Sequence, residues 1–281
     1  MTSEKLQTCL TNTPFVYRSI LTIPKHINFG LEIELENVDF EKVKHTINKQ
    51  FGGIWQVKPD KSLSKNNSAE IVSPVLQNNK DVWILLRKMG TLLEKMQPTF
   101  DNCSFQVNYD GTLLKKTKDR VRFLKLYAMY EDIIYKFSKG EDENYRESFD
   151  MYASPIILTL KDTLRFKEEG LTTDMFYNNK RYGISFKDQK DLIEFRTPNG
   201  TYNPILWQNY ITTFYYLLKH ATSNKYNKQE IDEYIDKFMS IYLWEKYEQI
   251  NQDKALKFIN TIFPHQADQT FFMHQYLIKT K

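Results

Sequence analysis

The first regular pattern of apolar and polar residues in the chain is a strict alternation at residues 29–36, FGLEIELE. Apolar residues occupy the odd positions, whereas Gly30 and the glutamates Glu32, Glu34 and Glu36 occupy the even ones. Because successive side chains of a β-strand point to opposite faces, this pattern predicts a strand with one apolar and one acidic face. Neighbouring glutamates would lie about 6.7 Å apart and would repel each other by about 2.5 kcal/mol at an effective dielectric constant of about 20. The acidic face therefore needs either solvent or a positive charge beside it.

Alternation and short apolar runs predict further strands along the chain. Residues 54–76 predict two strands joined by a polar turn. The segment CSFQVNYD at 103–110 predicts a strand that carries Gln106 and Asn108 on its polar face. The segments KRYGISF and DLIEFRT predict a hairpin around the polar turn KDQK at 187–190.

Helical spacing separates these strands and then dominates the C-terminal third. One predicted helix begins after Asp39 and ends at a Gly-Gly pair, and a second covers about residues 80–96. A long helix is predicted from about 117 to 139, ending at Gly140, and the pattern is helical from about residue 204. Strands that are interleaved with a few helices and joined by short connections predict an α+β fold with a mainly antiparallel sheet.

Composition and charge exclude several classes of protein. With 281 residues, 41% of them hydrophobic, the chain can bury a large core. The net charge of +4 comes from 39 basic and 35 acidic residues, and so slight an imbalance does not indicate a nucleic-acid partner. The basic and aromatic segment at 113–127 fits an ordinary helix with a solvated face, so nucleic acid is not an expected partner.

The same features predict a cytoplasmic protein with reduced thiols. Cys9 and Cys103 are far apart and show no metal-ligand spacing, so we expect buried, reduced thiols. The chain lacks a signal-peptide pattern at its start and contains no apolar stretch that is long enough to span a bilayer. We therefore expect a soluble, cytoplasmic protein without a membrane partner.

The predicted strands share an unusual polar face. If they join one sheet, that face gathers Glu32, Glu34, Glu36, Glu70, Gln106, Asn108, Glu194 and Arg196. An antiparallel sheet can simply be solvated on one side, and from the spacing alone this is the plainer interpretation. The alternative is a Mg²⁺ or Mn²⁺ site, because hard divalent cations take oxygen ligands and bridge nucleotide phosphates.

Read together and in order, the segments resemble the putative amidoligase family, which is related to glutamate–cysteine ligase and glutamine synthetase. The matching segments are FGLEIELE, WQVKPDKSL, AEIVSPVL, CSFQVNYD, YRESFDMYASP, KRYGISF and LIEFRTPNGTYNP. The resemblance covers about residues 28–215, which it implies form the catalytic domain, with an extension at 1–27 and a helical region at 216–281. It implies a mainly antiparallel, curved sheet of the glutamine-synthetase-like type, with ATP and Mg²⁺ or Mn²⁺ on its polar face.

The resemblance also implies a set of metal and phosphate contacts. Position by position, Glu32, Glu34 and Glu70 would be metal ligands, and Glu194 would be a further one. Arg196 would bind a phosphate or the substrate carboxylate, since its planar guanidinium suits either group.

Four further residues match the family's pattern, and each has a plainer interpretation. Arg146 would face developing phosphate charge, or it is an arginine of a surface loop. Asp60 and Ser62 would shape the nucleotide pocket, or they form a turn at a strand end. Asn199 would reach the substrate, although Pro-Asn-Gly is first a turn signal.

The chain departs from the family at Gln106 and Asn108, which occupy positions where the family usually has histidines. An amide oxygen still binds Mg²⁺, but a neutral amide cannot transfer a proton at neutral pH. The expected function is an ATP- and Mg²⁺-dependent ligase that joins a small-molecule or peptide carboxylate to an amine through an acyl phosphate. The alternative is a catalytically impaired relative that binds nucleotide or acts as a regulatory protein.

Overall fold

A computed structural model of the protein describes residues 1–60, 63, 67–142, 144–146, 148–164, 173–187, 191–238 and 250–277. Within these ranges one antiparallel sheet contains β1 (Asn28–Glu36), β2 (Gln56–Lys58), β3 (Ser68–Val72), β4 (Leu76–Gln77), β5 (Phe105–Asp110), β6 (Ile184–Lys187) and β7 (Leu192–Phe195). The strand order is β2-β3-β1-β5-β7-β6, and β4 pairs with β1.

Helices make up most of the remaining regular structure. They are α1 (Ser3–Asn12), α2 (Phe40–Phe51), α3 (Lys80–Met96), α4 (Thr117–Met129), α5 (Glu131–Ser138), α6 (Phe149–Tyr152), α7 (Ile157–Leu164), α8 (Pro204–Ala221), α9 (Lys228–Lys237), α10 (Gln252–Ile262) and α11 (Gln266–Tyr276). The predicted α+β class with an antiparallel sheet is confirmed. The glutamine-synthetase-like form of the sheet stays a prediction.

The apolar face of the sheet packs against α8. The odd-numbered residues of β1 are almost completely buried, as their alternation predicts. Phe105 of β5 stacks on Trp207 with ring centroids 5.4 Å apart, and Phe195 of β7 stacks on Phe214 at 4.2 Å. Because α8 covers this side, the even-numbered residues of β1 must face the opposite side of the sheet.

Local sequence signals mark several element boundaries correctly. The Asp39 side chain caps α2 by accepting a hydrogen bond from the Lys42 N–H, and α2 ends at Gly52, whose φ is 66°. The predicted helix at 80–96 and the pairing of β6 with β7 are also confirmed. Residues 188–190 of the predicted turn lie outside the described residues.

The prediction of one long helix at 117–139 is wrong, because the chain forms α4 and α5 with a break at Tyr130. The cause is tertiary, since neither Pro nor Gly lies at the break. The buried carboxylate of Glu131 accepts hydrogen bonds from the backbone N–H groups of Ile156 at 2.6 Å and Ile157 at 3.2 Å. The Tyr130 ring packs edge-on against Phe258 with centroids 5.1 Å apart. The sequence analysis also missed α1.

The Glu131→Ala variant is expected to lower the free energy of unfolding by about 3 kcal/mol, because two buried N–H groups lose a charged acceptor. Glu131→Gln keeps one acceptor oxygen and should show a smaller loss. Urea denaturation measures both, with the exposed Glu94→Ala on α3 as the control. Equal stability of Glu131→Ala and the control would contradict this role.

The basic segment at 113–127 makes internal contacts. Arg122 donates to the Ser223 carbonyl at 2.7 Å and lies over the Tyr226 ring, and Lys125 pairs with Asp232 at 2.7 Å. Arg122 and Lys125 are thus partly buried and paired, so the expected solvated face is wrong for these two residues, while the absence of a nucleic-acid partner stays a prediction.

Two further expectations concern the cysteines and the membrane. Cys9 and Cys103 are free thiols, as predicted; Cys103 is buried, whereas Cys9 is only half-buried. Across the part of the chain that the structure describes, no helix combines the length and the apolar character that crossing a membrane requires.

Candidate active site

The register of the sheet brings the predicted polar residues to one face. Cross-strand partners lie on the same side of a sheet, and the partners here are Glu34 with Glu70, Glu32 with Gln106, and Asn108 with Glu194. Most of this polar face is covered by the rest of the chain, since the buried side chains are Glu34, Glu36, Gln106, Asn108, Glu194 and Arg196. The interpretation as a plainly solvated face is therefore wrong for the middle of the sheet.

Gln106 joins two charged residues at the centre of the polar face. Its Nε2 donates to Glu34 Oε1 at 2.8 Å and to the Ser104 hydroxyl at 3.0 Å, and its Oε1 accepts from Arg196 Nη1 at 2.9 Å. The second oxygen of Glu34 accepts from the Ser104 backbone N–H at 2.6 Å. Burial raises the pKa of Glu34, and the charge of Arg146 opposes this rise. Both oxygens of Glu34 are thus engaged within the protein.

Glu194 lies in an ion-paired group near the β6 edge of the sheet. Arg196 Nη1 and Lys187 Nζ lie 2.5 Å and 3.0 Å from Glu194 Oε1. Arg196 Nε also donates to the Tyr152 carbonyl at 3.2 Å, which fixes the orientation of the guanidinium. Because two cations already neutralise Glu194, its role as a further metal ligand stays a prediction.

Glu32 and Glu70 form a carboxyl pair that is only half-buried. Asn108 Nδ2 donates to Glu32 Oε1 at 2.9 Å, and Glu70 lies within hydrogen-bonding range of Glu32. Burial, the contact with Glu32 and the charge of Glu32 raise the pKa of Glu70 to about 8, whereas Lys58 opposes the rise. Two carboxyls form a hydrogen bond only when one of them carries a proton. The raised pKa favours a protonated Glu70 near neutral pH.

The donor atoms around this pair suit a hard divalent cation. They are the oxygens of the two carboxyls, whereas Asn108 turns its Nδ2 toward Glu32 and has a buried Oδ1 without a hydrogen-bond partner among the described residues. Mg²⁺ and Mn²⁺ take carboxylate oxygens and complete their coordination with water and substrate phosphates. Within the described ranges, no group of three or more acidic, histidine or cysteine side chains could hold a metal ion alone. Of the four predicted glutamate ligands, Glu32 and Glu70 fit best, because Glu34 and Glu194 already accept strong donors.

Arg146 is buried, so the interpretation as an arginine of a surface loop is wrong. Its guanidinium donates to the carbonyls of Arg196 at 2.8 Å, Thr197 at 3.2 Å and Pro198 at 3.1 Å. Burial lowers the pKa of Arg146 to about 10, and the negative charge of Glu34 opposes this shift. The side chain therefore stays charged at neutral pH and holds the backbone that follows β7.

Asn199 is bound within the protein. Its Nδ2 donates to Asp142 Oδ2 at 3.0 Å and to the Asn144 carbonyl at 2.9 Å, and its Oδ1 accepts from the Arg146 backbone N–H at 3.2 Å. These bonds tie the segment before Arg146 to the end of β7. A contact between Asn199 and a substrate stays a prediction.

The two residues predicted to shape a nucleotide pocket differ in how well they are described. Asp60 is half-buried, its carbonyl accepts from the Ser68 hydroxyl at 3.2 Å, and its charge contributes to the raised pKa of Glu70. Asp60 therefore lies near the carboxyl pair. Ser62 lies outside the described residues.

A cleft of about 400 Å³ opens beside the carboxyl pair, and sequence reasoning missed it. Its ionisable lining residues are Glu32, Lys58 and Asp110, and exposed Ile54 and Val75 also line it. These side chains come from four separate segments, so no spacing along the chain could group them. The register of β2 with β3 places Lys58 opposite Glu70, and this register is not specified by the sequence pattern.

Comparison with known proteins identifies the family. A family model described as "Putative amidoligase enzyme" matches residues 25–218, which is more than half of the chain and includes every strand of the sheet. No curated protein matches the chain significantly. The chain therefore belongs to the putative amidoligase enzyme family.

Proposed function

We propose that the protein is an ATP- and Mg²⁺-dependent ligase that joins a carboxylate to an amine and forms an amide or isopeptide bond. One observation carries the proposal: in a member of this family, the half-buried carboxyls of Glu32 and Glu70 lie beside each other on the polar face of the sheet. Lys58 offsets only part of their charge.

In this proposal Glu32 and Glu70 would hold Mg²⁺ or Mn²⁺. When bound, the metal neutralises charge on the transferred phosphoryl group. The chain itself supplies a fixed cation, since Arg196 is oriented by Gln106, Glu194 and the Tyr152 carbonyl before any substrate arrives. Such preorganisation lowers the cost of placing charge opposite a phosphate or carboxylate.

The proposed reaction has two steps. A carboxylate oxygen of the acid attacks the γ-phosphorus of ATP, and the bond to ADP breaks, giving an acyl phosphate. The amine nitrogen then attacks the acyl carbon, phosphate leaves with the electron pair of the carbon–oxygen bond, and the nitrogen releases a proton to solvent. Arg196 would bind the phosphate or the carboxylate, and Arg146 would act as a positioning residue through the backbone of residues 196–198.

An isotope experiment tests this function. The protein is incubated with ATP, Mg²⁺ and a panel of amines and ¹⁸O-labelled carboxylic acids, and the products are analysed by mass spectrometry. We expect a condensation product that has lost one water, together with one ¹⁸O atom transferred to phosphate. ATP binding without ADP formation across the panel would overturn the proposal in favour of a nucleotide-binding or regulatory protein.

The stability of the ligand-free protein should depend on pH through Glu70. The folded-state pKa of about 8 lies above the ordinary value of 4.5, so between these values the folded protein binds more protons than the unfolded chain. The free energy of unfolding should therefore fall as the pH rises through this range. Glu70→Gln should reduce this slope, and Mg²⁺ should stabilise the wild type more at pH 8 than at pH 6. Urea denaturation across the range measures the effect, and equal slopes in both proteins would contradict it.

A further inference from the structure

The cleft beside the carboxyl pair has one polar end. Asn108 lines the cleft, is buried, and carries an Oδ1 atom without a hydrogen-bond partner among the described residues. A buried acceptor without a donor is unfavourable, and a ligand N–H would satisfy it. Among the described residues that line the cleft, Glu32 and Asp110 are acidic and Lys58 is basic, so without bound metal the local charge favours a cationic ligand over an anionic one.

The walls of the cleft include exposed apolar side chains. Ile54 is 58% exposed and Val75 is 75% exposed, and Leu192 also lines the cleft. Isolated exposed apolar residues are common on protein surfaces, but these converge on the cleft that holds the unpaired acceptor. A ligand that places its polar group at Asn108 would therefore lay a hydrocarbon portion against these walls.

Gly30 keeps the cleft open. It pairs with Asn108 across β1 and β5 and lines the cleft. A Cβ atom at this position would lie 3.7 Å from Asn108 Cβ, which is an ordinary van der Waals contact. The backbone thus has room for a side chain here, and a larger side chain would take up space within the cleft.

We propose that this cleft is the subsite for the amine substrate, and that this substrate is a primary alkylamine, either free or as a lysine side chain. This inference rests on the proposed ligase function. The amine N–H donates to Asn108 Oδ1, the nitrogen lies beside Glu32, and the alkyl chain packs against Ile54, Val75 and Leu192. The nitrogen thereby lies next to the proposed metal and phosphate site.

Calorimetric titration with linear primary amines tests the subsite directly. The affinity of the metal-free wild type should rise about fourfold with each added methylene from ethylamine to hexylamine. Alcohols of the same length should bind more weakly. Gly30→Val should weaken hexylamine binding at least tenfold, and Val75→Ser should reduce the dependence on chain length. Ile84→Ser, at an exposed position of α3 outside the cleft, is the matched control and should bind like the wild type.

Two results would overturn the subsite. One is an affinity for the amines that stays the same when the alkyl chain is lengthened and when Val75 is replaced by serine. The other is loss of Mg-ATP binding in Gly30→Val with hexylamine binding unchanged, which would assign the cleft to the nucleotide. Alkylamine binding that follows the prediction without any amide formation would instead support the subsite and overturn the ligase function, so the two failures are distinguishable.

Discussion

Replacement of Glu32 by glutamine is expected to abolish Mg²⁺-dependent ATP binding and amide formation, while the ligand-free protein stays at least as stable as the wild type. The change removes a negative charge that a divalent cation requires. The new amide keeps an acceptor for Asn108 Nδ2, and its NH₂ group can donate to Glu70 as a carboxylate. Thermal melts with and without Mg-ATP measure the result as loss of the ligand-induced shift.

Two further Glu→Gln variants show whether the effect depends on the position of the lost charge. Glu94→Gln makes the same chemical change at an exposed position of α3 and should keep the full shift. Glu34→Gln should instead destabilise the protein by about 1–3 kcal/mol, because both Glu34 oxygens accept N–H groups and an amide offers only one acceptor. If Glu32→Gln retains the wild-type shift, Glu32 does not bind the metal.

The alternation along β1 was enough to predict which residues share the polar face. Side chains alternate strictly along a strand, so the face of Glu32 follows from the positions of Leu31 and Ile33 once a core covers one side. The break at Tyr130 could not be predicted in this way. It depends on the contact of Glu131 with α7, which lies about 25 residues further along the chain.

The hydrogen-bond partners of each glutamate could not be predicted from the sequence for a similar reason. Glu34 and Glu32 are two positions apart on one strand, yet the donors that reach them differ. Glu34 accepts from the Ser104 backbone and Gln106, whereas Glu32 accepts from Asn108 and faces Glu70. These donors belong to neighbouring strands and depend on the register between strands, which the pattern within one strand does not specify.

Arg146→Met is expected to lower the free energy of unfolding by about 3–5 kcal/mol, the range for removing one partner from a buried charged network. The carbonyls of residues 196–198 would lose the hydrogen bonds from Arg146, although Pro198 keeps the Phe105 N–H, and the nearby Glu34 would lose a compensating charge. Arg146→Lys keeps the charge, but a compact ammonium cannot match the planar guanidinium that spans three carbonyls. It should lie between Arg146→Met and the wild type.

Urea denaturation of these variants distinguishes support of the backbone from direct contact with phosphate. Arg181→Met, at an exposed position, is the matched control and should unfold like the wild type. If Arg146 acts through the backbone, the Lys variant loses stability, and its Mg-ATP affinity falls in parallel because the segment that carries Arg196 is loosened. Wild-type stability of Arg146→Met together with a loss confined to ATP turnover would contradict the structural role and assign Arg146 to the phosphate.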